Sequence, residues 1–289
     1  MDARPEIDSV TGAETTGHEW DGIKELNQPL PKWWLYVLYA CIVWSIGYWV
    51  AYPAWPLISG YTRGLAGYSQ RETVGQRIAE ARAAQGQANA AIAKASVEEI
   101  QASPDLLQFA MAGGRAAFGD NCAPCHGRGA QGAKGYPNLN DDDWLWGGKL
   151  ADIQQTVLYG IRSTAGETRA SAMPRFGQDQ ILERGQISDL AEQVLALSGN
   201  PHDAAAAERA KPLFADNCAA CHGETGKGNR ELGAPDLTDA IWLYGGAKAD
   251  IVRSIETGRG GVMPAWAGRL DAGTIKKLTV YVHSLGGGQ

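Results

Sequence analysis

Two short stretches carry residue types that can do chemistry, Cys122-Ala-Pro-Cys125-His126 and Cys218-Ala-Ala-Cys221-His222. Cys-x-x-Cys-His is the spacing at which a chain takes up haem c. The two thiols form thioethers to the haem vinyl groups, and the next imidazole ligates the iron. The flanks repeat too: Phe118-Gly-Asp-Asn-Cys-Ala-Pro-Cys-His-Gly127 and Phe214-Ala-Asp-Asn-Cys-Ala-Ala-Cys-His-Gly223 agree at eight of ten positions. The signatures are therefore a duplication. Two covalently attached haem c groups are expected, on Cys122 and Cys125 and on Cys218 and Cys221, with His126 and His222 as iron ligands.

Electron transfer also needs the opposite face of each iron closed. A methionine thioether is a weak, soft ligand that stabilises ferrous iron, and axial ligation tunes haem over about 0.8 V. Of four methionines, Met1 is the initiator, and Met111 precedes the first signature without a counterpart in the second repeat. Met111 therefore reads as packing. Met173 and Met263 follow His126 and His222 by 47 and 41 residues, and each precedes a proline that can fix the sulfur over an iron. Their matched positions outweigh the commoner use of methionine as core filler. His18, His202 and His283 read as exposed or capping. A four-thiolate zinc site or a thioredoxin-like pair explains neither the histidine after both cysteine pairs nor the Met-Pro turns. No residue is read as a catalytic acid, base or nucleophile. Trp144, Trp146, Trp242 and Tyr244 read equally as haem-wall or core aromatics, and Arg162 and Arg259 as candidate propionate partners.

These sites need elements to position them. Residues 33 to 62 are thirty consecutive positions without a charge. The apolar centre from Trp33 to Tyr52 is long enough, at 1.5 Å per residue, to cross the ~30 Å hydrocarbon layer, and Trp33, Trp34, Tyr48, Trp49, Tyr52 and Trp55 form two interfacial aromatic belts. A cleaved signal peptide fits poorly, because the run is longer than the usual ~7 to 15 residues and begins well inside the chain. Haem c is attached outside the bacterial cytoplasmic membrane, which puts residues beyond the helix in the periplasm and residues 1–32 in the cytoplasm. The mild net charge of −6 includes no basic patch, so nucleic acid is not an expected partner. Cys41, within the apolar run, leaves no pair for a structural disulfide.

Residues 1–32 are polar and acidic and read as flexible, except for an amphipathic turn from His18 to Lys32 suited to docking on a partner. Residues 33–55 are the membrane helix, ended by Pro53 and Pro56. Residues 56–103 read as a loop and an alanine-rich helical spacer with too weak an apolar stripe for an independent domain. Residues 104–200 and 201–289 read as two haem c domains. Each has an opening helix, a signature, a glycine-rich loop, a helix after Asp152-Ile153 or Asp250-Ile251, a Met-Pro turn and a closing helix. Ser188 and Asp271 are expected to start the closing helices, and Pro212 to kink or interrupt the helix before the second signature. Strand patterns of useful length are absent. The expected fold is all-α, with one N-terminal transmembrane helix, a helical spacer and two tandem class I cytochrome c domains.

Three further stretches carry a resemblance: Asp21-Gly-Ile-Lys-Glu-Leu-Asn-Gln-Pro-Leu-Pro-Lys-Trp-Trp34, Gly60-Tyr-Thr-Arg-Gly-Leu-Ala-Gly-Tyr-Ser69, and Gly261-Val-Met-Pro-Ala-Trp266 with Tyr281-Val-His-Ser-Leu-Gly286. With the haem signatures, they make the chain from about residue 18 onward resemble subunit III of the cbb3-type cytochrome c oxidase, the dihaem subunit of a C-family haem-copper oxidase. The resemblance implies a single-pass inner-membrane protein that takes electrons from a donor cytochrome c. It would pass them through the monohaem cytochrome c subunit to the O2-reducing catalytic subunit. It also implies that His126 and Met173 ligate one iron, and His222 and Met263 the other. Some family members have a second N-terminal membrane helix that is missing here. The competing readings are a membrane-tethered dihaem cytochrome serving another redox complex, and a dihaem peroxidase, which would need an open sixth position on one iron.

Overall fold

The computed structural model describes residues 6–286, in two compact units that divide between Ala84 and Gln85. The N-terminal unit opens on a hairpin, β1 (Thr15–Trp20) and β2 (Ile23–Leu26), antiparallel, with Trp20 opposite Ile23. Its two-residue turn is Asp21-Gly22, with φ of 50° and 84°, the positive-φ pair that matches strand twist. The expectation of flexible chain and an amphipathic turn is thus corrected for this segment. The Asp-Gly signal was in the sequence, but the strands beside it do not alternate clearly.

Helix α1 (Lys32–Ala51) is apolar all round, with no buried residue, and is the one described helix long and apolar enough to cross a membrane. At 1.5 Å per residue it measures about 30 Å, the thickness of the hydrocarbon layer. Pro53 follows its end, and the chain turns back through a second small hairpin, β3 (Pro56–Leu57) and β4 (Gly60–Tyr61), where a plain loop was expected. Leu65 and Ala66 then donate backbone hydrogen bonds to the Val50 and Ala51 carbonyls at 2.9 Å each, capping α1. Helix α2 (Gln70–Ala84) closes this unit.

The second unit is helical: α3 (Gly86–Lys94), α4 (Val97–Ala102), α5 (Pro104–Asn121), α6 (Ala123–His126), α7 (Leu150–Tyr159), α8 (Arg184–Leu197), α9 (Ala204–Asn217), α10 (Ala219–His222), α11 (Lys248–Thr257) and α12 (Ala272–Gly286). The second half of the expected spacer belongs to its core. Ile92, Val97 and Ile100 are buried with Ala110, Leu150 and Val280, each large side chain contributing about 1.5–3 kcal/mol. Ser96 and Glu99 form a reciprocal capping box at α4, and the Lys276 ammonium donates to the Ala93 and Ala95 carbonyls at the end of α3, at 2.8 and 2.6 Å. Met111 packs against this cluster.

The two larger cores do not follow the expected division at residue 200. Phe118 of α5 and Ile153 and Val157 of α7 pack with Ile275, Leu278 and Val282 of α12, the last helix of the chain. Gly114 allows the close crossing, since a Cβ there would lie 2.3 Å from the Lys277 carbonyl oxygen. Ile187, Leu190, Val194 and Leu195 of α8 instead pack with Ala210 and Phe214 of α9 and Ile251 and Ile255 of α11. Each sequence repeat therefore gives its closing helix to the other repeat's core. Residues 104–200 and 201–289 are repeats of sequence, not separate packing units. The cause is local: only residues 198–203 join α8 to α9, and so short a connection makes consecutive helices antiparallel neighbours. The Arg209 guanidinium bridges both carboxylate oxygens of Asp189 across that pair, at 2.9 Å each.

Two helix details also differ from expectation. Helix α8 starts a turn before Ser188, on a capping box between Glu183 and Gln186. Helix α9 runs unbroken through Pro212, with Asp203 accepting from Ala205 and Ala206 at its start and Ala206, Ala207, Ala210 and Phe214 buried along it. Losing one backbone donor is offset by that packing.

Candidate haem sites

Both signatures take the same shape. Cys122 ends α5 and Cys218 ends α9, and each is followed by a single helical turn, α6 or α10, with the histidine amide bonded to the first cysteine carbonyl at 2.9 Å. One turn of helix brings both sulfurs and the imidazole to one side. Asn121 and Asn217 tie their amide side chains to the Ala117 and Leu213 carbonyls one turn back, at 2.8 and 2.9 Å.

The glycine-rich loop returns a proline carbonyl to each ring. His126 Nδ1 bonds the Pro137 oxygen and His222 Nδ1 the Pro235 oxygen, both at 3.0 Å. A donor Nδ1–H fixes the tautomer and ring orientation, leaving Nε2 with its lone pair free for a metal. Burial holds the His222 ring below the ordinary histidine range, which favours that neutral form. Burial pushes the Cys122 and Cys218 thiols up to about 11. A thiolate metal site needs the opposite shift. The residues fit thioether attachment and one imidazole ligand. The proline carbonyls were part of the quoted motifs, but their role could not be read there.

The methionine turns follow the exchanged helices. Met173 packs on the core that includes Cys218, Phe214 and Trp242. Its amide donates to the Arg259 carbonyl at 2.8 Å, and Gly177 and Gln178 donate to Glu256 of α11. The Met263 turn lies on α7: Met263 and Ile161 exchange both backbone hydrogen bonds at 3.0 Å, and Trp266 and Ala267 donate to Val157 and Leu158. Trp266 and Leu270 pack on the core that includes Cys122. Gly160 and Gly258 make these contacts possible. Both have φ of 67°, and a Cβ at either would lie 2.2 Å from the Met263 oxygen or 2.5 Å from the Met173 oxygen. Against the expected pairings of His126 with Met173 and of His222 with Met263, the Met173 turn packs beside the second signature's core and the Met263 turn on α7 of the first repeat.

The aromatic and arginine candidates have protein partners. Trp144 Nε1 donates to the Gly286 carbonyl at 3.2 Å. Arg259 donates twice to Ser254 Oγ and lies 4.1 Å from the Tyr244 ring centre. Arg162 and Arg169 flank the Trp146 ring at 6.0 and 5.5 Å, a cation–π arrangement. His202 Nδ1 contacts the Asn200 carbonyl, and His283 Nδ1 lies 3.4 Å from the Gln101 amide.

An acidic cavity of about 310 Å³ lies between the repeats, lined by Asp142, Asp143, Asp236 and Asp239 with Lys227 and Arg230. Burial, then the charges of Asp239, Asp141 and Asp236, push Asp143 up to about 6, against a small opposing effect of Arg230. A carboxyl whose folded-state pKa lies above its unfolded value binds its proton more tightly when folded. The stability this gives is fully present below about pH 4 and is lost as pH rises through about 6. Asp143→Asn should therefore raise the melting temperature at pH 7.5, by about 1 kcal/mol of stability after allowing for partial exposure, and the gain should vanish near pH 4. Circular-dichroism melts across that range check it, and an equal effect at both pH values would refute it.

Comparison with known proteins converges on the same description. Residues 12–59 match the N-terminal domain of cytochrome oxidase-cbb3, FixP, and residues 109–192 and 205–282 match the family model for cytochrome C oxidase, cbb3-type, subunit III. The chain is 57% identical to the cbb3-type cytochrome c oxidase subunit CcoP of Azospirillum brasilense, over 99% of this chain and 100% of that one. It is also 57% identical to subunit FixP of Azorhizobium caulinodans, over 98% and 96%. With the CcoP subunit of Cereibacter sphaeroides it shares 52% over the full length of both. The twin signatures, the repeated helical architecture and the one apolar N-terminal helix are those of a membrane-anchored, haem c-binding electron-transfer protein, and the chain belongs to the cbb3-type cytochrome c oxidase subunit III family.

Proposed function

We propose that the chain carries two haem c groups and relays electrons into the oxidase from a donor cytochrome c. Cys122 and Cys125 with His126 and Met263 would hold the first group, and Cys218 and Cys221 with His222 and Met173 the second. When bound, each haem supplies an iron that accepts and releases one electron. The observation that carries this reading is the back-to-back pairing of the two methionine turns, through Ile161 with Met263 and Met173 with Arg259.

The chain's own residues hold this chemistry in place. The Pro137 and Pro235 carbonyls orient the imidazoles, so that neither ligand ring has to turn when the charge on the iron changes. The Met-Pro turns offer a thioether, which favours the reduced iron and raises the potential. Buried Phe118, Ile153 and Val157 on one side, and Phe214, Ile251 and Ile255 on the other, give each attachment turn an apolar backing. With both thioethers engaged, neither iron would keep an open position for O2 or peroxide, and oxygen chemistry would fall to the catalytic subunit.

In this reading the N-terminal segment lies in the cytoplasm and the haem-bearing unit in the periplasm of a bacterial inner membrane. Electrons leave through the monohaem cytochrome c subunit toward the catalytic subunit. Extraction in mild detergent and capture of this chain tests the assignment. A haem-copper catalytic subunit and a monohaem cytochrome are expected to co-purify, with oxygen consumption driven by reduced cytochrome c. Recovery of the chain with both haems, but with neither subunit and no oxygen consumption, would sink it.

A further inference from the structure

Arg162 occupies a singular place between the two methionine turns. Its backbone has φ of 50°, left-handed geometry that a residue with a side chain adopts at a cost. That geometry turns the side chain across the paired loops. Nε donates to the Gly261 carbonyl at 2.7 Å and Nη1 to the Ser171 carbonyl. Gly261 stands two residues before Met263, and Ser171 two residues before Met173. One planar guanidinium thus bonds both turns at the same register.

The duplication supplies only one such residue. Aligning Gly160 with Gly258 puts Gly260 at the place of Arg162. A Cβ on Gly260 would lie 3.8 Å from Arg162 Cδ, an ordinary contact distance, so the arginine stem runs alongside its own counterpart's position, where glycine offers no second guanidinium. Arg259 does not duplicate the clip, because its guanidinium is bound to Ser254 on α11. Arg169 does not either. It lies over the same Trp146 ring as Arg162, but its side chain bonds Thr156, Asp152 and Gln155 on α7.

We propose that Arg162 is a positioning residue that clips the Met173 and Met263 turns together, so that one side chain sets the ligation of both irons. The proposal rests on Met173 and Met263 being the axial ligands. Its consequence is coupling: loosening the clip loosens both sulfurs at once.

The test uses the full chain, purified in detergent with both haems attached, and follows the near-infrared thioether-to-iron charge-transfer band of the ferric protein during a redox titration. Arg162→Gln reaches only one of the two carbonyls. It is expected to weaken the band at both irons, lowering the ratio of bound to unbound methionine by roughly tenfold, as losing a charged hydrogen bond implies. Arg162→Lys keeps the charge without the planar fork and should lose less at both irons. Arg169→Gln removes a neighbouring charge without touching the clip and should keep both bands.

Full-strength bands in Arg162→Gln with two haems per chain would overturn the proposal, and so would loss at one iron only. Equal loss in Arg169→Gln would assign the effect to charge and overturn it as well. If Arg162→Gln fails to take up haem, Arg162→Lys decides, and unchanged bands there overturn the clip. A wild-type protein lacking either band would instead defeat the ligand assignment itself.

Discussion

Met263→Ala is expected to strip the sixth ligand from the haem attached near the start of the globular unit, not from the one nearer in sequence. The effect is isolated by replacing Cys218 and Cys221 with serine, which leaves one haem per chain, on Cys122 and Cys125. In that background Met263→Ala should abolish the charge-transfer band and lower the midpoint potential by on the order of a few hundred millivolts, within the about 0.8 V range over which axial ligation acts. Met173→Ala should leave both unchanged. The opposite result would restore the pairing that sequence order implies. The argument is geometric: the Met263 turn exchanges backbone hydrogen bonds with Ile161 and lies on Val157 and Leu158, just beyond the first signature's core.

Ending the chain at Leu270 gives the second large effect, because it deletes α12. Ile275, Leu278 and Val282 would be lost from the core that holds Phe118, Ile153 and Val157. Each such deletion costs about 2–5 kcal/mol, and three together match the whole stability of a typical domain, about 5–15 kcal/mol. Hydrogen exchange followed by mass spectrometry should show α5 and α7 losing protection while α9 and α11 keep theirs. Were the repeats independent packing units, the damage would fall on α9 and α11. A protected α5 in the truncated chain would therefore refute the exchanged architecture.

Much of this protein was legible residue by residue. The cysteines and histidines announce their chemistry through spacing, because attachment needs two thiols and an imidazole on one turn. The membrane helix shows as charge-free length, and the closing helices as apolar residues three and four apart. The methionines were identifiable as a matched pair but not as partners of particular histidines. Tandem duplication makes the two closing helices nearly interchangeable as sequence, since Ile187, Leu190 and Val194 align with Ile275, Leu278 and Val282. Only the short stretch 198–203 pointed to the exchange, through what it forbids. The Asp21-Gly22 turn likewise gave the hairpin away, while the exposed pair Trp20 and Ile23 lacked a buried face to confirm a strand. Carbonyl partners such as Pro137, Ser171 and Gly261 have no sequence signature, because every residue has a carbonyl.

The exchange of closing helices also orders events in time. In the proposed topology residues 1–32 stay in the cytoplasm while the haem-bearing unit is delivered in sequence order, presenting Cys122 to the attachment machinery before Cys218. Yet the hydrogen bond from Trp144 to Gly286 spans 142 positions, whereas that from Arg209 to Asp189 spans 20. Contacts of short sequence separation form sooner than distant ones. The second pocket can therefore shut on its own stretch of chain, while the first, though first to emerge, stays ajar until the C-terminus arrives. Completion of the oldest site is thereby a report that the entire polypeptide has been delivered.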